Sequence, residues 1–252
     1  MGHLFNLILV EPLLNILVFL YKTIALGDFG LAIIYLTILI RLLLFPVFSK
    51  SAIHQREMQK IQPKLKKVQE QHKNDRAKQA EAMMALYKEH KVNPLSSFFW
   101  LLIQIPVFIA LYQVFSKSLT LDSLSGLYSF ITPPASLDYS FLGLINLTKS
   151  NILIIGLAAI AQYFQGRLSL PKVDPSQTLS SAEKMSRSMV FLGPALTIFV
   201  LFNFPSALGL FWLTTSLFSI GQQFVINHRD HGKLDQLRTN NPPKDGVQGL
   251  PS

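Results

Sequence analysis

Long apolar runs separated by short polar and basic segments dominate this chain. The run at 31–48 contains a single charge, and the runs at 95–116, 150–166 and 188–227 contain none. Because a helix needs about 20 mostly apolar residues to cross a bilayer, the last run is predicted to cross twice, turning at residues 203–206 around Pro205. The pattern predicts an all-α polytopic membrane protein with five transmembrane helices, at about 31–48, 95–116, 150–166, 188–203 and 206–227.

The N-terminal stretch at 4–26 is also apolar, but its polar residues follow one stripe. Glu11, Asn15 and Lys22 fall at helical spacing, and Pro12 suits the first turn of a helix. This pattern predicts an amphipathic helix lying in the membrane interface, which with its linker occupies residues 1–30. A sixth span is the alternative. No basic residue precedes the stretch and no small-residue cleavage site follows it, so we do not expect a cleaved signal peptide.

Composition and charge support a membrane protein and give it an orientation. Half of the 252 residues are hydrophobic, only 15% are charged, and 19 are phenylalanine, which is too apolar for a soluble domain. Lys and Arg number 11 in 49–94, 4 in 167–187 and 4 from residue 228 onward, but only 2 in 117–149. The positive-inside rule therefore predicts an external N-terminus and a cytoplasmic C-terminus. No transit-like N-terminus is visible, which favours a bacterial plasma membrane, the inner membrane.

The basic segment at 49–94 has the periodicity of a helical hairpin. Apolar residues recur at Met58, Ile61, Leu65 and Val68, and again at Ala80, Met83 or Met84, and Tyr87. The turn is predicted at residues 73–75, and Pro63 is predicted to kink the first arm. Two interpretations are open for this cytoplasmic hairpin. Its apolar seam either only pairs the two arms or forms a mobile, basic surface that meets exposed apolar segments or an RNA-rich partner.

Arg41 is the residue that most restricts the range of possible functions. It lies about 15 Å from the start of its run and about 10 Å from the end, which is too deep for easy snorkelling, and such a charge costs at least about 2.5 kcal/mol. An intramembrane arginine is therefore a functional-site hypothesis. Taken one at a time, the other polar residues of the spans are best interpreted as hydrogen-bonding groups between packed helices. Together with Arg41 they indicate a common polar interior, and the candidate substrate-binding residues are Arg41, Thr37, Gln104, Gln162, Trp212, Thr215 and Ser219.

The spans carry no acidic residue, which argues against several classes of membrane protein. Ion-coupled transporters and proton pumps use intramembrane carboxylates or histidines, and voltage sensors use several spaced arginines. We expect no enzyme, cofactor or metal, because no phosphate-binding glycine loop, nucleophile with its base, or metal cluster is visible; the absence of cysteine excludes disulfides and thiolate sites. Water, backbone carbonyls, lipid phosphate or an acidic substrate group must then accompany Arg41. An anion-selective conduit is one open alternative.

Four stretches of the chain resemble the YidC/Oxa1/Alb3 membrane protein insertases. They are IIYLTILIRLLLFP at 33–46, MQKIQPKLKKVQ at 58–69, NPLSSFFWLLIQIPVFIALYQVF at 93–115 and FPSALGLFWLTTSLFSIGQQFVIN at 204–227. The resemblance covers roughly residues 30–227, in order. Departures from the family are Ser96, Ser97 and Trp100 near the NPL, Ala207 after the FP pair, and Lys91 where glycine is common. The chain looks like the minimal five-span form, without the large extracytoplasmic domain of Gram-negative members.

The resemblance implies a membrane protein insertase and folding chaperone that makes and breaks no covalent bond. A hydrophilic groove, open to the cytoplasm and to lipid, would carry Arg41 as the attractor for acidic client segments, while apolar client segments leave along lipid-facing helices. The implied partners are newly made membrane proteins and lipids, with the ribosome and the Sec translocon as further candidates and no sequence-specific nucleic acid. The second open alternative is a Sec-associated assembly chaperone without independent translocation. Residues 228–252 are predicted to form a disordered cytoplasmic tail.

Overall fold

A computed structural model of the chain describes residues 2–93, 96–118, 126–134, 136–170 and 187–240. These residues are mostly helical, which confirms the predicted all-α class, and two short antiparallel strands, β1 (Ser140–Phe141) and β2 (Ile145–Asn146), pair in one loop. The helices are α1 (Gly2–Thr23), α2 (Phe29–Leu43), α3 (Phe45–Gln71), α4 (Arg76–Glu89), α5 (Ser96–Ser118), α6 (Ile152–Leu168), α7 (Leu192–Leu201) and α8 (Ser206–Asn240).

Helix α1 packs into the bundle along one face and meets a loop along another. It contains a π-helical turn at Asn6–Val10, and its buried face joins α2 and α5 in the main core. The polar stripe on α1 is used for contacts within the protein. Asn15 is buried and bonds to Gly126 and Tyr128, and the Lys22 ammonium donates to the Thr132 carbonyl at 2.9 Å.

The loop at 136–150 contacts the residue that caps helix α2. Asp28 is the N-cap of α2 and accepts from Leu31 N at 2.8 Å. Its second carboxylate oxygen accepts from Leu142 N, between β1 and β2. Gly30 lies so close to the Phe141 side chain that a Cβ at Gly30 would overlap it. The loop at 136–150 is therefore anchored on the start of α2.

The core lies where α1, α2, α5, α6 and α8 meet. Small residues allow close approach, since a Cβ at Gly209 on α8 would lie 2.8 Å from Ile154 on α6. The start of α8 is held by the chain before α6, because Ser206 Oγ donates to the Lys149 carbonyl at 2.6 Å. The largest fully buried side chains of this core include Phe29, Phe115, Leu14, Leu17, Ile33, Leu36, Leu111, Ile154, Ile155 and Leu208.

Helices α3 and α4 form a hairpin beside this core, with their connection at residues 72–75. Asp75 caps α4 by accepting from Lys78 N at 3.0 Å. Pro63 lies inside a helix that continues through it. The apolar positions of the two arms pack into one separate cluster, formed by Ile61, Leu65, Leu86 and Val92 with Met58, Val68, Met83 and Tyr87 around them.

One described helix, Gly2–Thr23, is long and apolar enough to cross a membrane by length and composition. Four other apolar helical segments contain only 10–17 residues, and they are Phe29–Leu43, Gln104–Phe115, Ile152–Leu168 and Leu192–Leu201. The region at 31–48 is thus split. Helix α2 ends at Leu43, and Pro46 lies in the first turn of α3, where a missing N–H is tolerated.

Helix α8 continues beyond the boundary that the sequence pattern predicts. The predicted disordered tail begins at residue 228, but the backbone is helical to Asn240. The first proline after this point is Pro242, which disfavours helix at the residue before it. The residues from 228 to 241 contain no proline, and the helix continues through Gly232, so the first part of the predicted tail extends the helix. Residues 241–252 lie outside the described residues.

Candidate functional site

Arg41 lies in the last turn of α2 and is only 8% exposed. Its guanidinium carbon is 4.4 Å from the centroid of the Phe48 ring, one turn into α3. The break between α2 and α3 brings these two residues together, and a cation over an aromatic face gains about 0.5 to 2 kcal/mol. Phe48 therefore compensates part of the cost of burying the charge.

The Arg41 guanidinium has no hydrogen bond or ion pair with any residue that the structure describes. The salt bridges within those residues join Lys60 to Glu57 and Lys78 to Asp75, and His90 lies beside Glu89. All of these groups belong to the hairpin. Since a guanidinium carries five N–H donors, Arg41 is available to bind an acceptor that enters from outside the bundle.

A small cavity beside Arg41 contains two more of the predicted site residues. We call it the Arg41 cavity; its volume is about 10 Å³, which is roughly the space of one water molecule. Thr37 and Gln104 contribute its other polar side chains. The full lining is Thr37, Ile40, Arg41, Leu44, Phe48, Gln104, Val107 and Phe211.

The two polar neighbours of Arg41 differ in their bonding. Thr37 is buried, and its hydroxyl donates to the Ile33 carbonyl at 2.6 Å, so its proton is used within α2. Gln104 is half-buried, and its amide has no hydrogen bond to another described residue. The Gln104 amide can therefore both donate to and accept from a group that enters the cavity.

Thr215 on α8 is the second buried polar group without a partner. Its hydroxyl is the buried side-chain oxygen in the described part of the chain that has no hydrogen bond. Phe211, which lines the Arg41 cavity, and Gln222, which donates to Ser49 Oγ at 3.1 Å, lie on the same face of α8 by helical spacing. Thr215 thus lies on the side of α8 that meets α2 and α3.

Three predicted site residues lie away from the lining of the cavity. Trp212 packs edge-on against Phe108, with ring centroids 5.8 Å apart. Ser219 donates to the Thr215 carbonyl at 2.9 Å, within its own helix. Gln162 accepts from the Thr197 hydroxyl and joins α6 to α7. The structure therefore brings together Arg41, Thr37 and Gln104, places Thr215 on the adjoining face, and uses Gln162 and Trp212 for packing.

The sequence argument missed the aromatic members of the site. Phe48 and Phe211 line the cavity, but phenylalanine is so frequent in this chain that neither stands out by composition. Spacing carried a usable signal for Phe211, which lies one turn before Thr215. The contact of Phe48 with Arg41 depends on the break between α2 and α3, so spacing along one helix does not predict it.

The arrangement suits reversible binding of an anionic or polar group. A buried cation, an amide and a hydroxyl with spare hydrogen-bonding capacity surround or adjoin a small cavity with otherwise apolar walls. Within the described residues, no group of three or more His, Asp or Glu side chains could hold a metal ion.

Known proteins are similar to this chain in sequence. A model of the family described as "60Kd inner membrane protein" matches residues 19–233. Proteins named membrane protein insertase YidC are 35% identical over 224 residues in Pelobacter propionicus and 36% identical over 218 residues in Nitratidesulfovibrio vulgaris. The alignments cover 87% and 86% of this chain, but only 38% of each of these longer relatives. The corresponding protein of Francisella tularensis subsp. novicida is 36% identical over 79% of this chain and 32% of its own length.

The family match includes α2 to α7 and α8 as far as residue 233, and therefore Arg41 and every other residue of the Arg41 cavity. Together with 33% to 36% identity over most of the chain, it shows that the chain belongs to the 60Kd inner membrane protein family, that of YidC and Oxa1.

Proposed function

We propose that this chain is a membrane protein insertase and membrane-protein folding chaperone of the plasma membrane. The observation that carries the proposal is Arg41, a buried cation whose hydrogen-bond donors are unused by the described residues. A permanent structural role would pair such a charge, because an unpaired buried charge is costly. A transient partner, such as an acidic segment of a client protein, explains why the charge is kept unpaired.

The proposed membrane arrangement has five spans in the core at 31–227, with the hairpin at 49–94 in the cytoplasm. The short apolar helices support a thin bilayer at this protein. Helix α6 is about 25 Å long and α7 only about 15 Å, at 1.5 Å per residue, whereas the hydrocarbon core is about 30 Å thick. A bilayer that thins around short helices shortens the path over which a polar client segment is out of water.

Contacts of helix α1 favour the interfacial placement of the N-terminal region, at 1–30. From Asn15 to Lys22, over about 10 Å of helix, its polar side chains bond to the loop at 126–132. That loop belongs to the segment predicted to be extracytoplasmic. In the proposed placement α1 lies along the membrane surface beside this loop, and the exposed apolar side chains of Leu4, Ile8 and Phe19 face lipid.

In the proposed mechanism, the polar segment of a client enters from the cytoplasm between α2, α5 and α8. Its acidic groups are attracted to Arg41, and Gln104 and Thr215 provide neutral hydrogen-bonding groups on either side. The hydrophilic groove that forms when these helices separate is also proposed to be lined by Thr37, Gln162, Trp212 and Ser219. Apolar client segments leave into lipid, so no covalent step or cofactor is needed.

The hairpin is proposed to meet clients first. It carries 11 of the 23 Lys and Arg residues, and its apolar seam is largely buried between its two arms, which leaves charge rather than apolar surface for capture. Ribosomes and the Sec translocon are proposed partners at this surface. Deleting the hairpin should lower client capture while the bundle remains folded.

Purified protein in liposomes, with a single-span client that has an acidic N-terminal tail, tests the proposal. The measured quantity is the fraction of tails protected from external protease. We expect protection above that of protein-free liposomes, without ATP or Sec components. No protection by folded, correctly oriented protein would refute autonomous insertion.

The small size of the Arg41 cavity favours one second candidate, an assembly chaperone that binds client spans without moving a tail across the membrane. A cavity of about 10 Å³ is too small for a polypeptide segment unless the helices separate. This candidate predicts crosslinks between client and protein in the liposome assay without protease protection. A steady anion conductance across the same membranes would instead indicate a conduit.

A further inference from the structure

A second concave surface, separate from the Arg41 cavity, lies between α6 and α8. It is an apolar groove of about 510 Å³ that shares no residue with the Arg41 cavity. Several of the residues that line it are about half exposed, with exposed fractions of 55% for Ile160 and 54% for Leu217. Its principal lining residues are Leu157, Ile160 and Phe164 on α6 and Leu217, Ile220 and Phe224 on α8.

The groove has the length of one membrane leaflet. From Leu157 to Leu168 it follows α6 for eleven residues, which is about 17 Å at 1.5 Å per residue. Half of the hydrocarbon core is about 15 Å thick. A transmembrane segment of a client or of a second copy would need a groove across both leaflets, whereas a lipid acyl chain needs only one.

Two polar donors on α6, Tyr163 and Arg167, are next in sequence to Phe164 and Leu168, which line one end of the groove. Arg167 is exposed and stands in sequence between the lining residues Phe164 and Leu168. Its Nη1 donates to the Tyr163 hydroxyl at 3.1 Å, and the Tyr163 ring packs 5.3 Å from the Phe191 ring. This contact orients the arginine but uses one of its five donors.

No acidic side chain within the described residues forms an ion pair with Arg167. The carboxyl end of α6 opposes anion binding with a partial charge of about −0.5. Its last carbonyls are partly satisfied, since Ser169 Oγ donates to the Gln165 carbonyl at 3.0 Å and Leu170 N to the Arg167 carbonyl at 3.2 Å. The full charge of Arg167 therefore dominates.

We propose that this groove binds an anionic phospholipid. One acyl chain occupies the apolar groove, and the phosphate accepts hydrogen bonds from the Arg167 guanidinium and the Tyr163 hydroxyl. The site combines a positive charge at one end with an apolar slot of leaflet length, which matches one phospholipid. The proposal requires the protein to lie in a bilayer but does not depend on insertion activity.

A photoactivatable phosphatidylglycerol with a diazirine in its acyl chain tests the site. The intact protein is reconstituted in phosphatidylcholine vesicles that contain this probe, illuminated, and digested, and the adducts on α6 and α8 peptides are quantified. Unlabelled phosphatidylglycerol should compete about fivefold better than phosphatidylcholine, as expected for one basic residue near a membrane surface. No client is present, so failure here is distinct from failure of the insertase proposal.

Paired variants separate headgroup recognition from groove occupancy. Arg167→Gln should abolish the preference for phosphatidylglycerol, whereas Arg167→Lys and the hairpin control Lys88→Gln should keep it. Leu217→Trp should fill the groove and reduce adducts with either competitor, whereas Leu196→Trp, at an equally exposed position outside the groove, should not.

Equal competition by both lipids in the wild-type protein would overturn the proposal and identify ordinary surrounding lipid. Adducts that are absent from α6 and α8 would also overturn it, and would show that the groove is closed to lipid or covered by protein. A preference that survives Arg167→Gln would contradict the role of this arginine.

Discussion

Two buried polar regions of the bundle differ in how their side chains are paired. Asn15 is 2% exposed, and its amide bonds to Glu11 O, Gly126 O and Tyr128 N at 2.7 to 2.9 Å. Arg41 is 8% exposed and has only the Phe48 ring beside its charge among the described residues. The two groups are therefore similar in burial and differ in pairing. Asn15 is committed to the fold, whereas Arg41 remains able to bind an incoming group.

The stability of the protein should be more sensitive to mutation at Asn15 than at Arg41. Asn15→Ala leaves the Gly126 carbonyl and the Tyr128 N–H without their partner, which should lower the free energy of unfolding by about 3 kcal/mol. Unfolding by sodium dodecyl sulphate in mixed micelles measures this change. The matched control is Asn203→Ala, because Asn203 is exposed and bonds only to Phe199 O, at 3.3 Å; it should change the free energy by less than about 0.5 kcal/mol. Equal effects of the two substitutions would break the distinction.

Two adjacent threonines on α8 should respond with opposite signs. Thr214 donates to the Leu210 carbonyl at 2.8 Å, whereas the buried Thr215 hydroxyl has no partner in the described part of the chain. Thr215→Val should raise the free energy of unfolding by about 1 kcal/mol, and Thr214→Val should lower it by about the same amount. The same micelle titration measures both. A loss of stability in Thr215→Val would show that its hydroxyl is committed to the fold.

Removing the charge at Arg41 should leave stability nearly unchanged. Arg41→Met removes a buried charge, which is favourable, and the contact with Phe48, which is unfavourable. The two effects oppose each other, so the free energy of unfolding should stay within about 1 kcal/mol of the wild-type value. A large destabilisation, comparable to that of Asn15→Ala, would mean that Arg41 is structural.

The smallest effect on stability is expected at Lys22, the exposed residue through which α1 contacts the loop at 126–132. Lys22 donates to the Thr132 carbonyl and hydroxyl at 2.9 and 3.0 Å, but water competes for these bonds. Lys22→Met should therefore lower the free energy of unfolding by only about 0.5 kcal/mol. A cost near that of Asn15→Ala would show that exposure does not weaken this contact.

The sequence predicted the helical class and singled out Arg41 as a candidate, because apolar run length and a charge inside such a run are local signals. It also identified the positions of the hairpin seam, since Ile61, Leu65 and Tyr87 recur at helical spacing and now lie in one cluster. It did not predict the partners of Asn15. Two of those partners, the Gly126 carbonyl and the Tyr128 N–H, lie more than a hundred residues away, and no local pattern encodes them.

Two glutamines and one lysine also show what the sequence alone can and cannot predict. Gln104 and Gln162 are indistinguishable in sequence, yet one lines the Arg41 cavity and the other is bonded to Thr197. Lys91, which departs from the family's usual glycine, has a φ of 52°, and the bonds from Lys91 N and Val92 N to earlier carbonyls form a helix-ending motif that favours glycine. The resemblance identified that position, and the backbone explains it.

The central claim is that Arg41 is held unpaired in order to attract acidic client segments. The most direct measurement compares insertion rates for two clients that differ only in tail charge, one acidic and one neutral, with wild-type protein, Arg41→Ala and Arg41→Lys in the liposome assay. We predict that the wild type inserts the acidic tail about tenfold faster, which corresponds to about 1.4 kcal/mol. Arg41→Ala should erase the difference, and Arg41→Lys should keep most of it because the charge rather than the fork geometry is needed. An undiminished preference for the acidic tail in folded Arg41→Ala protein would contradict the account.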